Sequence, residues 1–199
     1  MTVEKSAFFP NISRFTSLAD AADLAIHKLA EHHPEALAQW QGQDREELRS
    51  VLGLSDFIFS SLVQDPEWLT WLLHHRQHVE SIDYRLCLSE QLNDVKDENQ
   101  LMHVLRQFRR RKMCLIAWHD FTNVVPLEQS LEALSLLAEA LIMEAYHWLY
   151  RQCCADWGTP MNANGEAQPM LVLGMGKLGG GRAKLFFRYR SYFYLSRKW

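Results

Sequence analysis

Behind Glu166 this chain of 199 residues contains no Asp or Glu at all. Nothing in that stretch can hold a hard cation through carboxylates. No apolar run reaches the roughly 18 residues that would span a bilayer, so a membrane partner is not expected. The opening MTVEKSAFFPNISRF has no basic region leading into an apolar stretch, which argues against a secretory leader. Cysteine is sparse: Cys87, Cys114, Cys153 and Cys154, with no C-x-x-C pair. Neither a disulfide framework nor a zinc site is suggested, and a reduced, cytoplasmic setting is the simplest reading.

The net charge of -3 conceals a split. Residues 182–199 carry six Lys/Arg and no acid, leaving 21 minus 6, or 15, basic residues against all 24 acidic ones in 1–181, a balance of -9. An acidic body gives no general reason to bind DNA or RNA.

What is present is mostly helical pattern. Ser17 is placed to cap a helix with Leu18, Ala21, Ala22, Ala25 and Leu29 on one face. Asp44 opens another, with Gly53 read as its stop. Ser55 opens DFIFSSLVQ, and Asp65-Pro66 opens the next, proline standing where its missing N–H costs nothing. A long helix is expected from about Asp97 to His119 and a longer one from Pro126 to Trp157, the two packed together. Gly158–Glu166 is a turn-rich break. Then comes one convincing strand, about 170–173, and a glycine-rich turn over 174–181. The fold class is therefore mainly α, a helical region over 1–160 followed at 161–181 by the opening of an α/β domain.

Gly174-x-Gly176-x-x-Gly179 matches the dinucleotide fingerprint literally. That fingerprint needs a following helix, a second strand and an acid about twenty residues on, and no acid follows. A P-loop fails too, because Leu178 stands where the Mg²⁺-binding hydroxyl belongs. A glycine turn of the polymerase-β type fits better: its amides approach a nucleotide phosphate because no Cβ intervenes. A ligand-free glycine-rich connection fits the turn alone about as well.

Met170-Leu-Val-Leu-Gly-Met-Gly-Lys-Leu-Gly-Gly180 resembles the start of a motif of the bacterial glutamine synthetase adenylyltransferase/adenylyl-removing family, which continues G-E-L-N-x-S-S-D-I-D-L-I. The likeness extends to Ser55-Asp-Phe, Asp65-Pro-Glu-Trp-Leu-Thr70, Leu105-Arg-Gln-Phe-Arg-Arg-Arg-Lys-Met, Ile116-Ala-Trp118, Trp148-Leu-Tyr and Cys153-Cys-x-x-Trp-Gly-Thr-Pro160. The resemblance implies a bifunctional nucleotidyltransferase: one half attaches AMP from ATP to a tyrosine of glutamine synthetase, and the amino-terminal half, the one resembled, removes it by phosphorolysis, releasing ADP. It implies PII-type signalling proteins and glutamine synthetase as partners, Mg²⁺ on the Asp-x-Asp pair of the full-length enzyme, and nucleotide at Gly176, Lys177, Gly179 and Gly180. The Asp-x-Asp is absent here, so the expectation for this chain is no bound metal, no catalytic residue and no activity of its own.

Residues 182–199, RAKLFFRYRSYFYLSRKW, replace the missing motif. Back-translated with CGA for Arg182, Arg188 and Arg190 and shifted by one nucleotide, Arg182–Tyr192 can be read as E-L-N-F-S-S-D-I-D-L. We therefore expect an amino-terminal fragment whose tail is out of frame, with a strand at 170–173 that has nothing to pair with. The competing expectation is a natural helical module that binds glutamine synthetase or a PII-type protein. A basic-aromatic patch for nucleic acid or membrane is a third reading of the tail.

Three further groups stand out. His74-His75-x-x-His78 suggests metal, but adjacent helical residues point about 100° apart and a solvated helix end is the simpler reading. Arg106, Arg109, Arg110, Arg111 and Lys112 read as phosphate or acidic-surface contacts, or as a helix face paired with acids from neighbouring helices. The Trp68/Trp71 and Trp148/Tyr150 pairs read as packing.

Overall fold

Ser17 caps the first described helix by accepting from the Asp20 amide at 3.2 Å. The computed structural model describes residues 17–79, 83–176 and 178–180, with 191–194 described as backbone. The chain divides into two compact units: the first takes residues up to Glu80 and Arg110–Pro126, the second Ser81–Arg109 and everything from Leu127 on.

In the first unit α1 (Leu18–His32) buries Ala21, Ala22, Ala25 and Leu29, the face its spacing indicates. Leu18 shares that face but stays exposed at the first helical position. Pro34 starts the short α2 (Pro34–Ala38). α3 (Gly42–Leu54) runs through Gly53 instead of stopping there. A Cβ at Gly53 would lie 2.9 Å from the Leu18 carbonyl oxygen and 3.0 Å from the Ala22 Cβ. The glycine marks the crossing of α1 and α3, not an end. Ser55 and Asp65 cap α4 (Asp56–Val63) and α5 (Pro66–His75), accepting from Ile58 and Trp68 amides at 3.3 and 3.0 Å. The core gathers Leu48, Leu52, Ile58, Leu62, Leu69 and Leu72 with the fully buried Trp40 and Trp118, whose rings lie 5.6 Å apart at 48°.

In the second unit Asp83 caps α6 (Tyr84–Leu92) through the Arg85 and Leu86 amides. α7 (Glu98–Phe121) starts in this unit, where Asp97 accepts from the Gln100 amide at 2.8 Å. α8 (Leu127–Trp157) comes next. Among the described residues α6 is a close helical neighbour of α8. Tyr84, Leu88 and Leu92 recur every four residues along α6 and are buried. Arg85 reaches Glu144 of α8 at 3.3 Å, and the Trp148 indole N–H donates to the Val95 carbonyl at 3.4 Å.

The strand is β1 (Leu171–Gly174), one residue later than expected at each end. It does have a partner. β2 (Ser191–Tyr194) pairs with it antiparallel, Leu171 opposite Tyr194 and Gly174 opposite Ser191. Three successive aromatic residues, Tyr192, Phe193 and Tyr194, suit an extended, pleated segment, so four residues of the tail supply the backbone partner that the strand was expected to lack. Residues 182–190 and 195–199 lie outside the described residues.

Candidate functional site

The segment leading to the glycine turn is tied down before the turn begins. Asn162 closes a small loop: its Oδ1 accepts from the Asn164 and Glu166 amides at 2.9 and 3.0 Å, and its own amide donates to the Glu166 carbonyl at 2.8 Å. Gly165, at φ +79°, supplies the left-handed step that loop needs. The Gln168 amide then returns to the Pro160 carbonyl at 2.7 Å. Two tyrosines one turn apart on α8 hold the chain from Gln168 to Met170. The Tyr150 hydroxyl donates to the Gln168 carbonyl at 3.2 Å, and the Tyr146 hydroxyl accepts from the Met170 amide at 3.0 Å. β1 therefore starts at a fixed height on α8.

The turn closes on itself. Gly176 has φ +62°, a conformation that costs a residue with a Cβ. The Gly180 amide donates to the Gly176 carbonyl at 3.1 Å. A Cβ at Gly179 would run into the Gly174 carbonyl oxygen and lie 3.1 Å from its carbon. Gly176, Gly179 and Gly180 thus come together in one loop, in which Gly176 is required by its φ and Gly179 by its close approach to Gly174. Lys177, the fourth expected nucleotide contact, lies outside the described residues.

Beside the turn is a cavity of about 620 Å³. One wall is a face of α8 carrying Glu132, Ser135 and Glu139 above Leu136, Ile142 and Met143; the other is Val172, Gly174, Leu178 and Gly179. The α8 wall is not visible to sequence reasoning. Glu132 and Glu139 lie two turns apart on one helical face, but that spacing also describes a solvated helix, and nothing local says that a turn some forty residues on will cover it. Two carboxylates facing the turn repel a bare phosphate. The donor set does not suit magnesium either: among the described residues no three carboxylate, imidazole or thiol groups converge to hold an ion. The arrangement offers backbone amides and close access, with the Glu132 and Glu139 carboxylates on the opposite wall.

Away from the turn His75, Trp68, Trp71 and Arg111 have ordinary packing tasks. His75 lies stacked on Trp71 at 4.2 Å, its Nδ1 against the Trp71 carbonyl at 2.8 Å. Trp68 stacks on Trp71 at 4.2 Å, with the Arg111 guanidinium 5.5 Å above Trp68 and bonded to Asp65 at 2.7 Å. Burial pushes the Cys114 thiol up to about 12 and the Tyr84 phenol up to about 12. Cys114 is therefore an inert core thiol and not a nucleophile.

Comparison with known proteins gives the turn its context. The family model for glutamate-ammonia ligase adenylyltransferase matches residues 45–184, which includes β1 and the whole turn. A bifunctional glutamine synthetase adenylyltransferase/adenylyl-removing enzyme from Vibrio parahaemolyticus serotype O3:K6 is 44% identical over 173 residues. That alignment takes in 83% of this chain and 17% of the relative's length.

Proposed function

Because the chain belongs to the glutamate-ammonia ligase adenylyltransferase family, we propose that it is a piece of an enzyme that adenylylates glutamine synthetase on tyrosine with ATP and removes the AMP by phosphorolysis. The piece corresponds to the start of the adenylyl-removing half, works in the cytoplasm and answers to a PII-type regulator. By itself it is inactive.

The observation that carries this reading is the closed turn at Gly174–Gly180. Its glycines are spaced so that Gly179 packs against Gly174, leaving backbone amides free of side chains for a nucleotide phosphate. Phosphoryl transfer depends on positioning and on metal-held charge. A family enzyme supplies that charge from an acidic pair just beyond the turn, and no acid follows Glu166 in this sequence. Residues 182–199 are an out-of-frame tail, and Arg182–Tyr192 are the motif's codons read one nucleotide out of register.

Removing one nucleotide at the Arg182 codon tests the proposal. The gene so altered should read on from Gly181 into the aspartate pair and the following frame. Its product should release ADP from adenylylated glutamine synthetase when phosphate, Mg²⁺ and a PII-type protein are supplied. If the shifted frame stops at once, or its product releases no ADP, the fragment reading falls. A helical module that binds glutamine synthetase or a PII-type protein then takes its place.

A further inference from the structure

The basic run on α7 has no part in the glycine turn or its cavity. Arg111 bonds Asp65, but among the described residues Arg106, Arg109 and Arg110 make no ion pair with any carboxylate. Arg106 and Arg109 are exposed and Arg110 is half-buried. At about 100° per residue, Asn99, Met102, His103, Arg106, Arg109 and Arg110 fall on one side of the helix. No acid shares that side between Asn99 and Arg110; Glu98 falls at its edge. Three permanent charges therefore stand together in a chain of net charge -3, with no ion-paired acid among the described residues.

We infer that this side of α7 is a docking surface for a carboxylate-rich helix or extended segment of a partner protein. Such docking is independent of the proposed enzymatic activity. Charge complementarity and spacing favour that partner over the alternatives. The three guanidiniums rise about 4.5 and 6 Å along the axis from Arg106 to Arg109 and Arg110, the interval at which a partner helix repeats glutamates at i, i+3 and i+4. Each guanidinium presents a planar fork that fits a carboxylate with two parallel bonds. A single phosphate would call for the three to converge in a concavity, whereas they diverge over the convex side of a helix. Single-stranded nucleic acid would call for exposed rings between the charges; the aromatic in the run, Phe108, is buried. A membrane surface would call for a broad apolar flank, and Met102 is the exposed large apolar residue on this side.

Fluorescence anisotropy with the full chain tests the inference. The probe is a labelled alanine-based helical peptide with glutamate at each i and i+4, and its glutamine counterpart is the control. The glutamate peptide should bind about tenfold more tightly in low salt, and the difference should shrink as salt rises. The joint substitution of Arg106→Glu, Arg109→Glu and Arg110→Glu should remove that preference. Exchanging the three for lysine should keep only part of it, because charge survives without the fork. Arg151→Glu, on an exposed site of α8, should leave it intact. Circular dichroism of each variant shows whether the helices persist; should the triple reversal unfold, Arg106→Glu and Arg109→Glu singly give the same reading at exposed positions. Equal binding of both peptides, or glutamate preference unchanged by the reversals, overturns the inference. So does tighter binding to single-stranded oligonucleotide, ATP or phosphatidylserine vesicles that the reversals abolish, since the surface would then serve another anion.

Discussion

Arg76 is almost wholly buried, and its surroundings are arranged to keep its charge. Its Nε donates to Glu47 at 3.3 Å, its Nη atoms to Asp44 and the Leu73 carbonyl, and its guanidinium lies 5.1 Å from the centre of the Trp40 ring. Glu47 also accepts from the Trp118 indole at 2.9 Å. A buried ion this fully bonded contributes little net stability, but losing one partner strands the other. His119 adjoins the network through the Arg76 backbone, and its Nε2 is buried with no hydrogen-bond partner. Burial lowers the His119 pKa below 6.5, opposed by the hydrogen bond to the Arg76 backbone. The unfolded chain therefore takes up this proton at a higher pH than the folded one. His119 takes nothing from stability above pH 6.5; its penalty grows as pH falls below 6.5 and levels off beneath the lowered folded value. Urea midpoints followed from neutral to mildly acid pH should fall less steeply in His119→Asn than in the parent. Identical slopes would show that His119 is not held neutral by its site. None of this is legible in the sequence, because the partners stand far apart along the chain and meet only when α3, α5 and α7 pack.

At the scale of elements, caps are the most readable feature. Ser17, Ser55 and Asp65 each accept from the amide three residues on, a local interaction that needs no tertiary context. α6 escapes a reading of the sequence although Asp83 and the Tyr84, Leu88, Leu92 spacing mark it, because a helix this short gains its stability from α8 and not from its own pattern. Gly53 misleads for a related reason. Glycine signals a helix end locally, whereas here it admits the α1 backbone at close range. Gly53→Ala makes the difference measurable. Alanine gains roughly 1 kcal/mol over glycine inside a helix, while overpacking against a backbone oxygen costs about 1–3 kcal/mol. The substitution should lower stability by about 1 kcal/mol net, seen as a lower urea midpoint. A raised midpoint would mean that α1 and α3 yield easily at their crossing.

For the whole molecule, the mainly helical class and the strand-turn unit follow from periodicity and from the glycine spacing. The division into two units does not, because α7 runs through both without a break in its pattern. The site is half legible. The left-handed step at Gly176 and the close approach at Gly179 are the kind of backbone demand that glycine announces, while the α8 wall with Glu132 and Glu139 depends on a packing that no local pattern encodes. The pairing of Ser191–Tyr194 with β1 is harder still to read, because it joins two segments well apart in the chain. The central proposal is that the glycine turn of this chain is of a phosphate-binding type and that, with no acid after Glu166, the chain performs no transfer. The most direct test is ADP release from adenylylated glutamine synthetase by the purified chain, with phosphate, Mg²⁺ and a PII-type protein present. Release should not exceed the rate without the chain; release that rises in proportion to the chain added would contradict the account.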